Sequence, residues 1–199
     1  MDYKKLADVK DRFADYEKIF NSGDYEKSAD ILSTILERIE ECADERKAGR
    51  VEDTSVNKSD MDGRPIYISL NHVMEYYVYA CYFEPETDVL CTELPVGEYY
   101  RTYGNLCLKL SKYRRAEDAF KKAICWNPVD LDSYLGLAEC YRNLNMLERY
   151  YIVTKQAYRY CCTRATMARY YRNMGYYYVA KYKPEVARAC YVYSNIYYK

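Results

Sequence analysis

A chain of 199 residues is long enough for one domain with a substantial core. Half of its residues are hydrophobic, yet Tyr supplies 28 of them, and no apolar run approaches the ~18 residues of a membrane helix. The formal charge is zero, but residues 1–100 hold 12 Lys+Arg against 23 Asp+Glu, and residues 101–199 hold 18 against 7. Such a division favours acidic partners at the basic end, or neutralisation of one end by the other.

Residues 1–46 read as a helical hairpin. Leu6, Val9, Phe13, Tyr16 and Phe20 recur at helical spacing, Asn21-Ser22-Gly23-Asp24 breaks the pattern, and Tyr25, Ala29, Leu32, Leu36 and Ile39 mark a second helix. Residues 47–65 are polar, mixed in charge and almost free of large apolar groups, which predicts a loop or a disordered excursion. Asp60-Met61-Asp62-Gly63 is not a calcium loop, because aligning Gly63 puts Lys58 and Ser69 where carboxylates are required. Residues 66–96 predict a degenerate helical unit. Ser69–Phe83 is dense in Tyr around its circumference and is expected to be sandwiched between neighbours. Thr87–Leu94 is its candidate second helix.

From Gly97 the chain repeats itself at intervals of 34 and then 37 residues, in segments 97–130, 131–164 and 168–199. Tyr100-Tyr103-Gly104-Cys107 aligns with Tyr134-Leu137-Ala138-Tyr141 and with Tyr171-Met174-Gly175-Tyr178; Ala116-Phe120-Ala123 aligns with Tyr150-Thr154-Ala157 and Ala187-Tyr191-Ser194. The large, large, small, large order lets two helix backbones approach at the small slot. Asn127-Pro128 ends one helix, Lys183-Pro184 opens another, and Thr163 is positioned as an N-cap. A period of this length means a stacked array in which no unit buries its apolar face alone. The predicted class is an all-α solenoid of stacked antiparallel helical hairpins.

These residues resemble the tetratricopeptide repeat family, whose pattern is W-x2-L-G-x2-Y, then Ala, Phe, Ala and Pro. Tyr100, Tyr103-Gly104, Ala116, Phe120, Ala123 and Pro128 match it best; the second copy has Tyr150, Thr154 and Cys162 at family positions, and the third inserts residues around Thr163–Thr166. The resemblance covers about half the chain and implies a superhelix whose first helices line a concave groove. It places Arg101, Asn105, Arg142, Asn143, Arg169, Arg172 and Asn173 on that groove. Arg101, Asn105 and Arg169 match parts of the family's clamp for a terminal carboxylate, whereas Gly136 and Asn173 replace two of its members. Guanidinium groups in such a groove favour carboxylates or phosphates; a solvated basic face is the competing reading.

Nothing else in the chain carries chemistry. His72 has no ligand-spaced neighbours for a metal, and neither a phosphate-cradling loop nor a nucleophile elbow occurs. Cys161-Cys162 is a strained pair for a disulfide, while Cys107, Cys140 and Cys190 fall on core slots. Nine cysteines without a C-x-x-C pair, behind an N-terminus with no apolar signal region, predict reduced thiols in a cytoplasm. Asn57-Lys58-Ser59 fits a glycosylation acceptor that such a compartment would never use. The sequence thus predicts a non-catalytic protein scaffold without cofactor or metal, binding an acidic peptide or protein segment. Nucleic-acid association through the basic, Tyr- and Arg-rich half is the alternative, as is a regulatory module of a larger assembly. The final helix ends in Tyr191–Tyr198 with no capping helix behind it, which predicts either a fragment or self-association through that face.

Overall fold

Three turns in this protein are built alike. In each, a helix ends, one non-glycine residue takes left-handed backbone angles, and the next helix starts. The residues are Ser111 (φ 58°), Asn145 (φ 56°) and Tyr182 (φ 56°), separated by the same 34 and 37 residues as the sequence repeat. The amide after each one donates back to the carbonyl five residues earlier: Lys112 to Cys107 at 2.8 Å, Met146 to Tyr141 at 2.8 Å and Lys183 to Tyr178 at 2.9 Å. This closes the helix end by satisfying a carbonyl that would otherwise lack a donor.

The architecture comes from a computed structural model, which describes residues 6–42, 66–85 and 88–198. The predicted loop at 47–65, with its calcium and glycosylation readings, lies outside the described residues. The helices are α1 (Val9–Asn21), α2 (Tyr25–Cys42), α3 (Val73–Phe83), α4 (Val96–Lys109), α5 (Tyr113–Trp126), α6 (Leu131–Asn143), α7 (Leu147–Ala157), α8 (Arg164–Ala180) and α9 (Pro184–Tyr198). Helices α1 with α2, α4 with α5, α6 with α7 and α8 with α9 form hairpins. Two compact units result, one ending at Asp130 and the other starting at Leu131.

In the first unit the core is made by α1, α2, α4 and α5. Val9, Leu32, Ile35, Ile39, Val96 and Ala123 are fully or almost fully buried, and the Phe13 ring stacks on Tyr99 at 4.5 Å. Residues 66–96 depart from the predicted unit of two helices. Val89–Cys91 is strand β2, paired in parallel with strand β1 (Ile66–Ile68) in the register Ile66–Val89, Tyr67–Leu90 and Ile68–Cys91. Nor is α3 enclosed all round: only Glu75 and Tyr79, one turn apart, are buried, and Val73 and Met74 on the other side are 73% and 66% exposed. The segment is anchored by polar bonds instead. The Asn127 side chain donates to Glu75 at 2.7 Å, the Asn71 amide donates to the same carboxylate at 2.7 Å, Ser69 N–H donates to Trp126 O at 2.8 Å, and Gly97 N–H donates to Ser69 Oγ at 3.0 Å. Asn127 and Glu75 are both buried, where such bonds are costly to break.

The small slots behave as the repeat requires. A Cβ on Gly104 would meet Phe120 Cζ at 2.9 Å, and one on Gly175 would meet Tyr191 Cε1 at 2.8 Å. Phe120 is fully buried whereas Tyr191 is 38% exposed, so only the second ring has room to swing away. Leucine at Gly104 will therefore cost about 1–3 kcal/mol or more, and leucine at Gly175 clearly less; thermal melts that rank the two variants the other way would break this register.

At the middle slot Ala138 replaces Gly, and the position aligned with Phe120 is Thr154. Its hydroxyl is fully buried and is the one buried side-chain polar atom among the described residues without a hydrogen-bond partner. Replacing Thr154 with the isosteric Val removes that unmet group, so the variant should gain about 1 kcal/mol; an unchanged or lower melting temperature would count against the assignment.

Candidate functional site

The sequence-predicted groove residues fall in both units. In the first, Arg101 is already committed. Its Nη1 lies 2.9 Å from Asp130 Oδ1, with Glu98 at 3.8 Å, and the Asp130 side chain is only 5% exposed. A buried carboxylate left without its cation is strongly destabilised, so Arg101 holds the segment after α5 rather than waiting for a ligand. Asn105, one turn further along α4, is exposed.

In the second unit α6 and α8 present the remaining five residues. Arg169, Arg172, Asn173 and Tyr176 lie on one side of α8 at steps of three and four. Two contacts join this side to α6: Arg169 reaches Asp132 at 3.2 Å near the starts of both helices, and Arg142 lies over the Tyr176 ring at 5.7 Å near their ends. The two first helices therefore run parallel and share a face, the arrangement a stacked array of hairpins gives. Arg142 also pairs with Glu139, to which Asn143 donates at 2.9 Å (backbone) and 3.1 Å (carboxylate). Among the described cations of this face, only Arg172 has no carboxylate partner.

The unit is held together by tyrosine. Tyr150 is buried and donates its hydroxyl to Asn173 O at 3.0 Å, fixing α8 against α7. Tyr151 stacks on Tyr177 at 4.3 Å, and Tyr158 packs on Tyr170 at 4.8 Å. Tyr176 and Tyr177, which lie outside the aligned repeat slots, thus belong to the α6–α8 and α7–α8 contacts. Thr163 caps α8 as predicted, in a reciprocal box with Thr166 at 3.0 and 3.2 Å. Cys107 and Cys140 are buried as predicted and Cys190 is half-buried. Among the described residues, no group of three His, Cys, Asp or Glu side chains converges on a metal position, and no helix is long and apolar enough to cross a membrane.

Burial sets the chemistry of these rings. It raises the phenols of Tyr100 and Tyr150, the first further raised by its hydrogen bond to Glu40, and pushes Tyr170 up to about 12. A phenol raised above its ordinary 10.0 favours the fold while neutral. That contribution is complete below pH 10 and is lost as pH rises through 12. In an alkaline titration, tyrosinate absorbance should lag behind free tyrosine and then rise together with loss of helical circular dichroism. Titration of every tyrosine near its ordinary value with helicity intact would contradict this burial.

No family model matches the chain, and no curated protein matches it. Among solved structures it is similar to MamA 41-end from Desulfovibrio magneticus RS-1, at TM-score 0.61 and 14% identity over 98% of this chain and 77% of that one. It is also similar to the MamA RS-1 ArsTM double mutant, at TM-score 0.61 and 13% identity over 96% of this chain and 75% of that one. At such identity the likeness concerns the fold. The fold is a tetratricopeptide-type helical solenoid.

Proposed function

We propose that this protein is a non-catalytic scaffold that binds a protein or peptide segment on the face shared by α6 and α8, with acidic segments preferred. The observation that carries the reading is the pairing of two first helices around Arg142, Asn143, Arg169, Arg172 and Asn173, joined by Arg169–Asp132 and Arg142–Tyr176. Two of the three guanidinium groups are neutralised internally, by Glu139 and Asp132. A ligand carboxylate must therefore meet Arg172 first and compete for the others, which favours several acidic groups in one segment over a single terminal carboxylate. The unit from Leu131 onward supports the preference, with eleven Lys+Arg against four Asp+Glu, a net of +7. The nine cysteines are all free thiols, which fits the cytoplasm we assign to it.

The test is selection of random peptides displayed on phage against the immobilised chain, followed by anisotropy measurements with the enriched peptides. Enrichment of acidic sequences whose affinity drops at least about tenfold on Arg172→Glu, the worth of one charge-assisted bond, with unchanged circular dichroism, is the expected result. Enriched peptides without acidic residues, or peptides indifferent to Arg172→Glu and Arg142→Gln, would remove the proposal.

A further inference from the structure

From Arg149 to Lys199 the chain carries ten Lys+Arg and a single carboxylate, Glu185, together with fourteen Tyr. Every aromatic side chain in that stretch is a tyrosine. Glu185 lies 3.7 Å from Arg188 at the start of α9, so the opposite end of the α8–α9 hairpin has no Asp or Glu side chain of its own. That end has a file of rings instead. Tyr158, on the 3-10 turn after α7, packs on Tyr170 at 4.8 Å; Tyr170 meets Tyr171 at 5.2 Å; and Tyr171 stacks on Tyr193 at 5.2 Å and on Tyr197 at 5.6 Å. The file runs from the 3-10 turn across α8 to α9. Its outer members are open to solvent, with Tyr158 48% and Tyr193 51% exposed, and the neighbouring Tyr198 ring is 79% exposed. Arg159 adjoins Tyr158 in sequence and is exposed, and exposed Arg164 is tied to the end of α9 by donation to Ile196 O at 3.0 Å.

We infer that this end of the unit binds single-stranded nucleic acid, bases stacking on the exposed tyrosines at the ends of the file and phosphates meeting Arg159 and Arg164. A guanidinium surface alone would suit any polyanion. Open aromatic faces beside guanidinium groups suit a polymer with one π-face per charge, and every base has such a face whatever its sequence. A duplex keeps its bases stacked inside and offers only phosphates, so the preference is for single strands. An acidic peptide has charge but no rings to match. The site differs from the α6–α8 face, and neither Tyr158, Tyr193 nor Tyr198 contributes to it, so the two readings stand or fall separately.

The experiment is fluorescence anisotropy of the full chain with a fluorescein-labelled oligothymidylate of ~12 nucleotides, within the span that one such module covers, at several salt concentrations. Binding is expected, with an affinity that falls steeply as salt rises. Arg159→Gln with Arg164→Gln should make the log–log salt slope shallower by about 1.4, the share of two phosphates on a single strand. Tyr158→Leu with Tyr193→Leu should weaken binding about tenfold or more while leaving that slope unchanged. Tyr198→Ser tests stacking without disturbing the file and should weaken binding several-fold. Duplex of the same length and polyglutamate of matched charge should compete poorly. The inference is overturned if the oligonucleotide does not bind at low salt. It is equally overturned if polyglutamate or duplex competes as well as the single strand, or if Tyr198→Ser leaves affinity unchanged. Peptide binding that depends on Arg172 should persist in all these variants.

Discussion

The close approach of two helices at a glycine is the contact on which the α4–α5 and α8–α9 hairpins depend. Gly104 receives the Phe120 ring, and Gly175 receives Tyr191, at distances that leave no space for a β-carbon. Where the small slot is Ala138, the facing register position holds Thr154 instead of a ring. Slot and partner thus vary together, a large partner with the smallest slot and a smaller partner with a larger one, as constant interhelical packing density requires. The hairpin turns follow from this. Once the helices are pressed together, the chain must reverse within three residues, and the left-handed residue that does so is Ser111, Asn145 or Tyr182. Asn accepts that conformation readily, whereas a bulky aromatic does not. Tyr182, 94% exposed, takes it without any packing to compensate.

The fold was legible where period and packing coincide. Spacing located α1, α2 and α4 to α9, because large and small residues recur along each at helical intervals, even in α1 and α9, where only two residues are buried. It failed between Ile66 and Cys91. Three residues of strand carry too little pattern to be distinguished from a helix fragment, and what holds β1 and β2 in place is distant: Asn127 on Glu75, Trp126 O on Ser69, Ser69 Oγ on Gly97. Helix α3 misled for a related reason. Its composition is apolar all round, but only the Glu75–Tyr79 side faces protein. Composition states how much could be buried, not how much is.

The candidate face was legible in its identities and not in its electrostatics. The repeat register placed Arg142, Arg169 and Arg172 on first helices, and the structure gathers Arg169 and Arg172 on one side of α8, next to Arg142 of α6. The register could not reveal that Asp132, Glu139 and Asp130 had claimed three of the four arginines. Asp130 stands 29 residues from Arg101 and Asp132 stands 37 from Arg169, so each pair forms only through folding. A basic stripe read from sequence therefore overstates the charge that the folded surface offers.

The excess of cations after Leu131 gives the tyrosines a second use beyond filling the core. Four carboxylates cannot match eleven cations, and each of the four is already engaged: Asp132 with Arg169, Glu139 with Arg142, Glu148 with Lys181 and Glu185 with Arg188. Ring faces take part of the remainder. Arg149 lies 5.9 Å from the centre of the Tyr141 ring and Lys155 5.5 Å from that of Tyr151, while Lys181 and Arg142 rest on Tyr177 and Tyr176 in addition to their carboxylates. Each such contact is worth only ~0.5–1 kcal/mol at an exposed site, but unlike a carboxylate it supports a cation without cancelling its charge. A phenylalanine ring would serve the cation equally and lose the hydroxyl that Tyr150 gives to Asn173 O. Tyrosine alone lets the helices pack, supports the cations beside them and keeps the field of the unit positive.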